Sequence, residues 1–177
     1  RETVRILYTG AFYLLKGCEY FIRSISELQR RGVNVVADVV GSVDLPSKME
    51  PLLTGLPIKF HGPIPQDELK GFLATSDIYL FPSLADGCAS SGMEAMAAGM
   101  CVVATRESGL PIRDMENGIV VPMKDSTAIA DKIEWLINHP KEIERMGRAA
   151  AREISTSFTW EKYAENVKKM YEEAAHG

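Results

Sequence analysis

The chain is poor in the features that announce a membrane, a metal or a nucleic acid. No stretch of its 177 residues approaches the ~18 uncharged apolar positions of a membrane span, because Asp77 and Glu94 interrupt the best candidates. A basic excess is missing too. The sequence has 20 Lys and Arg against 24 Asp and Glu, a net charge of -4 and a pI near 5.5, whereas nucleic-acid-binding domains present a basic face. Cysteine is scarce and odd in number. Cys18, Cys88 and Cys101 lack metal-type spacing, which predicts free thiols in a reducing compartment rather than a disulfide framework. The histidines His61, His139 and His176 are scattered, with no pair at helical ligand spacing, so no metal site is expected. Repeats, linkers and low-complexity segments are lacking. The first residues already read as charged and strand-like, so no secretory leader is expected.

What is present is ordinary globular material: 46% apolar and 25% charged residues, in a length suited to one domain with a sizeable core. Strand-like and helix-like segments alternate. "VRILYTG" (4–10), "VNVVADVVG" (33–41) and "PIKFHG" (57–62) end in glycine, while "CEYFIRSISELQRRG" (18–32) and "PQDELKGFLATS" (65–76) have apolar residues at helical spacing. "SKMEPLLTG" (47–55) is a short, proline-interrupted helical piece. "DIYLFPS" (77–83), "MCVVAT" (100–105) and "GIVVP" (118–122) are apolar without alternation, the pattern of parallel strands covered on both faces. From Asp125 onward the chain reads as helical. These features predict a Rossmann-like, doubly wound α/β domain: a parallel sheet of about six strands, helices on both faces and a helical C-terminus. Ligands of such sheets bind at the carboxyl ends of the strands. The loops expected there are 10–17, 41–47, 62–66, 82–91 and 105–111.

One stretch carries the chemistry. "FPSLADGCASSGMEAMAAGMCVVAT" (81–105) holds two acids, Asp86 and Glu94, separated by small or apolar residues. Ser91-Gly-Met-Glu94 has the spacing of a capping box, in which Glu94 would contribute about 1 kcal/mol of helix stability. The same geometry places a helix N-terminus at the ligand edge of the sheet, where N–H groups and the helix dipole favour a phosphate. Glu94, one turn in, would then accept from a pair of sugar hydroxyls. Both readings stand at this level.

The stretch resembles the donor-binding signature of retaining glycosyltransferases of the B-type fold, the group 1, glycogen synthase-like family. That pattern runs Pro-Ser, an acid, seven residues, Glu-Ala-Met-Ala-x-Gly, and a strand ending Ala-Thr or Ala-Ser. "TGAFYLLKG", "FHGPIPQDELKGFLATSDIYLFPS", "SGLPIRDMENGIVVP" and "FTWEKYAENVKKMY" resemble further family segments in the same order, so the likeness covers nearly the whole chain. It implies transfer of a sugar from a nucleotide-diphosphate donor to a hydroxyl, with retention and with neither a metal nor another cofactor. It also implies that residues 1–177 are the donor-binding, C-terminal half, with an acceptor-binding domain expected ahead of Arg1. A cytoplasmic protein is expected, with peripheral membrane contact left open for the full-length enzyme.

Carried over by position, Lys16 and Asp86 are the catalytic candidates: Lys16 neutralises the diphosphate and Asp86 contacts the hydroxyls of the transferred sugar. Glu94 holds the ribose, and Gly10, Gly87, Cys88, Ala89, Ser90, Ser91 and Gly92 form the binding loops. Three positions depart from the family. Ala11 stands where an Arg is usual, Asp86 where Glu is common, and Ile112 where Glu often follows Gly-x-Pro. An alanine methyl does not replace a bidentate guanidinium. Arg106 and Arg113 lie on a loop from which they would replace that charge, although a surface role is the plainer reading of each. The apolar stripe Trp160, Tyr163, Ala164, Val167, Met170 and Tyr171 of the last helix suits packing on its own domain, or docking on the missing half. A nucleotide-sugar binding module without transfer activity and a B-type epimerase remain as alternatives. A flavodoxin-like regulatory domain would need an acidic cluster after the first strand, which is absent.

Overall fold

Residues 3–175 are described by a computed structural model; Arg1, Glu2, His176 and Gly177 lie outside it. The core begins with β1 (Val4–Thr9), buried from Ile6 onward, which pairs along its whole length with β2 (Val35–Val40). The chain moves outward to β3 (Ile58–Gly62), then crosses back over β1 to lay down β4 (Ile78–Phe81), β5 (Cys101–Thr105) and β6 (Ile119–Val121). The sheet order is β3-β2-β1-β4-β5-β6, parallel throughout. Every residue of β4 and β5 is buried, as the unalternating apolar runs predict. The order reverses between β1 and β4. There the following loops diverge in opposite directions and leave a crevice at the carboxyl edge.

The crossovers follow from local sequence. Helix α1 (Cys18–Arg30) buries Cys18, Phe21, Ile22, Ile25 and Leu28 along one stripe, each large apolar side chain contributing about 1.5–3 kcal/mol of transfer free energy. The proline-containing segment Ser47–Leu53 forms only a 3-10 turn, with Pro51 inside it. Helix α2 (Gln66–Thr75) returns the chain from β3 to β4, and α3 (Ser90–Ala97) joins β4 to β5. Helix α4 (Ser126–Asn138) starts on Asp125, whose side chain accepts from the Ala128 N–H at 2.9 Å. It packs on α1, while α3 lies against α5 (Pro140–Ser157), so both faces of the sheet are covered.

Helix α6 (Trp160–Ala175) differs from the plainer expectation for it. None of its residues is buried, and Trp160 and Met170 are 82% and 68% exposed. Most of its apolar stripe is therefore left uncovered by its own domain, although Trp160 and Tyr163 line a cavity with Cys88 and Met93. Thr159, preceding the helix, accepts from the Lys162 N–H through its side chain and so supplies a cap where packing is lacking. Among the described residues, no helix is long and apolar enough to cross a membrane.

Candidate functional site

The loop after β1 is drawn against the end of β4 by backbone contacts. Leu84 N–H donates to the Leu15 carbonyl at 2.9 Å, and the Ser83 hydroxyl reaches the same oxygen at 3.3 Å. Gly17 makes the approach possible. Its φ is 78°, and a Cβ there would stand 1.8 Å from the Pro82 carbonyl oxygen, so a side chain is excluded on both counts. The 3-10 turn Leu14–Lys16 then projects Lys16 across the crevice, where its Nζ forms an ion pair with Asp86 Oδ2. Both side chains are largely buried, at 22% and 16% exposure. Residues seventy positions apart are thus joined at the mouth of the β1/β4 crevice.

A pocket of about 260 Å³ opens beside this pair. Of the residues expected at the site, Gly10, Lys16, Asp86, Cys88, Ala89, Ser90 and Ser91 line it, together with Ala11. Gly87, Gly92 and Glu94 do not. Gly87 is exposed, and its carbonyl lies where a Cβ on Gly109 would fall, at 2.5 Å. Gly92 is buried beneath Leu110, whose methyl groups would sit 2.5 and 2.8 Å from an added Cβ. Its place is helix–loop packing, not the pocket wall. Glu94 is exposed on α3, and its carboxylate has no hydrogen-bond or ion-pair partner among the described residues.

The capping-box expectation fails. The N-cap is Ala89, which has no side-chain oxygen to offer, and α3 begins at Ser90. Ser91 therefore lies inside the first turn, and its hydroxyl turns instead to the Tyr79 hydroxyl, at 3.0 Å. The start of α3 is two residues earlier than a Ser91 cap requires, so Ser91 and Glu94 cannot exchange the reciprocal bonds of the motif. The first turn of α3, whose Ser90 and Ser91 line the pocket, thus has no side-chain cap, and uncapped first-turn N–H groups suit an anion. Arg113 does not replace the cation missing at Ala11, because its guanidinium is held by Glu116 at 2.8 Å and Glu153 at 2.7 Å. Arg106 is exposed and does not line the pocket.

Burial pushes up the phenols of Tyr8, which lines the pocket, and of Tyr79, which does not, so both stay protonated as donors. Tyr8 gives its proton to the Ala11 carbonyl at 2.8 Å, which fixes the first turn of the loop after β1. Among the described residues no group of three or more His, Cys, Asp or Glu side chains converges. Sequence reasoning passed over Gly17, Tyr79 and Ser83 as individuals. Gly17 and Ser83 lie within longer sequence motifs, and Tyr79 in an apolar strand reads simply as core.

The family model described as Glycosyl transferases group 1 matches residues 3–139. The chain belongs to that family. The D-inositol 3-phosphate glycosyltransferase of Corynebacterium diphtheriae is 31% identical over an alignment covering 98% of this chain and 43% of that protein. Among solved structures, the C-terminal domain of a glycosyl transferase group 1 family protein (LpcC) from Francisella tularensis superposes with a TM-score of 0.75. It is 26% identical, with 89% of this chain and 87% of that one covered. Anabaena Alr3699/HepE, solved with UDP and glucose, shares the fold with a TM-score of 0.80 at 17% identity, covering 97% of this chain and 49% of its own. The chain spans a little under half the length of the curated relatives it matches.

Proposed function

We propose that this glycosyltransferase chain is a donor-binding half, holding a nucleotide-diphosphate sugar whose sugar passes to a hydroxyl acceptor with retention. The observation that carries the reading is the meeting of Lys16 and Asp86 beside the uncapped first turn of α3, at the point where the sheet order reverses. A diphosphate at that place receives a cation from one strand loop and N–H groups from another. These are the groups that stabilise charge as the nucleotide-diphosphate departs. Protein donors then carry the phosphate charge without a metal. Phosphate takes Lys16 from Asp86, which frees that carboxylate to accept from the sugar hydroxyls. Glu94, unpartnered at the solvent side of α3, accepts from the ribose. UDP in Anabaena HepE supports the ligand class only through the shared fold. The acceptor and the exposed stripe of α6 belong with a second domain, and the isolated chain transfers no sugar.

A non-catalytic binding module is the second reading, favoured by Ala11 and by the neutralisation of Lys16 within the protein. Both readings need Glu94 on the ribose. A carboxylate accepting from two hydroxyls is worth roughly 1.5–3 kcal/mol, or about one to two decades in affinity. Glu94→Gln should lose that much for a ribonucleoside diphosphate by titration calorimetry, with a smaller loss for the deoxyribose analogue and an unchanged melting temperature. Unchanged ribonucleotide affinity would remove Glu94 from the site. A measurable transfer rate from the isolated chain would refute the half-enzyme reading.

A further inference from the structure

Tyr79 lies on β4, fully buried among apolar strands, and is not part of the pocket wall. A phenol in that position is costly unless its hydroxyl is bonded. Its oxygen stands 3.0 Å from Ser91 Oγ, 3.1 Å from Thr9 Oγ1 and 3.3 Å from the Thr9 carbonyl. One proton serves these contacts. The shortest is a donation from Tyr79 to Ser91, and the Thr9 hydroxyl then completes Tyr79 by donating to it. Ser91, which accepts from below, has no other side-chain partner and keeps its own proton. Its Oγ is beside Gly10, where an added Cβ would stand 3.8 Å away, on the pocket wall shared with Lys16 and Asp86. The three hydroxyls form a relay of donors, Thr9 to Tyr79 to Ser91, that ends with an unspent proton at the pocket.

We infer that Tyr79 is a positioning residue that holds the Ser91 hydroxyl as a donor to a phosphate oxygen of the nucleotide. The role rests on the donor-site reading above. Phosphate oxygens only accept, so a relay that delivers a proton matches them, whereas a cation or an N–H group at the same place would oppose it. Because burial keeps the Tyr79 phenol protonated, the polarity of the relay does not change with pH in the working range. A merely structural hydroxyl would act on stability instead.

The test uses the whole chain with UDP, ADP and GDP, each beside its nucleoside, by titration calorimetry. Tyr79→Phe keeps the ring and removes the relay's middle hydroxyl; it should weaken the diphosphate that binds best by about three- to tenfold and leave the nucleoside unchanged. Ser91→Ala should lose about as much or slightly more, Ser91→Thr should restore most of it, and the double variant should be no weaker than Ser91→Ala within about twofold. Equal losses for diphosphate and nucleoside, or losses that add in the double variant, would overturn the role. If Tyr79→Phe does not fold, Ser91→Ala still decides: unchanged diphosphate affinity leaves Tyr79 nothing to act through. A parent chain that binds no nucleoside diphosphate overturns the donor-site reading and this role with it, whereas tight binding unaffected by either substitution overturns this role alone.

Discussion

Helices α3 and α6 both carry apolar side chains at helical spacing, yet α3 buries Gly92, Ala95 and Met96, whereas α6 buries none of its residues. The shorter helix is wedged between β5 and α5, with Leu110 over Gly92. The longer one leaves Trp160, Tyr163, Met170 and Tyr171 in solvent. Periodicity reports that a face is to be covered but not by what. For α3 the cover is the domain itself, and the reward is a rigid N-terminus at the β1/β4 crevice. For α6 the cover is not among the described residues. Stability and ligand binding should therefore concentrate around the crevice and be nearly independent of α6.

That contrast can be broken from either side. The largest effect is expected at Gly17, where a Cβ meets the Pro82 backbone at 1.8 Å with φ at 78°. Gly17→Ala should lower the Tm by roughly 10 °C in calorimetry, since both the left-handed backbone and the overlap must be relieved. A Tm within a degree or two of the parent would mean that the loop is not pinned to β4. An intermediate gain is expected from Ala11→Arg, which restores a guanidinium at an exposed pocket position. Diphosphate binding should tighten by about three- to tenfold, the range of a charge-assisted hydrogen bond in partial solvent. No gain in an intact fold would place the loop's side chains elsewhere. The smallest effect belongs to α6: Trp160→Ser with Tyr163→Ser should move Tm by no more than about 2 °C, as surface changes do. A drop of more than about 5 °C would show that α6 packs on its own domain after all.

Much of the architecture was legible because the strands are continuous apolar runs bounded by glycine or proline, and the helices carry clear stripes. The six strands and the parallel fold could be read from that pattern. The edge at which the loops gather followed from the fold class. The start of α3 near Ser90 or Ser91 could be read from the sequence, but its cap could not. Ser91 and Glu94 have capping-box spacing, but Ala89 takes the cap position and Tyr79 claims the Ser91 hydroxyl, contacts made through tertiary structure. Gly92 in a signature beside serines read as part of the ligand loop, and only the fold brings Leu110 over it. The resemblance gives Lys16 and Asp86 separate roles. Their ion pair spans a distance in sequence that no local pattern encodes.

On the proposed reading, the crevice between β1 and β4 binds the diphosphate of a nucleotide through Lys16. Titration of the parent chain and Lys16→Ala with a nucleoside diphosphate and with its nucleoside tests this most directly. Lys16→Ala should lose about tenfold or more for the diphosphate, from one charge-assisted bond, with unchanged affinity for the nucleoside. Equal losses for the two ligands, or diphosphate binding indifferent to Lys16, would contradict it.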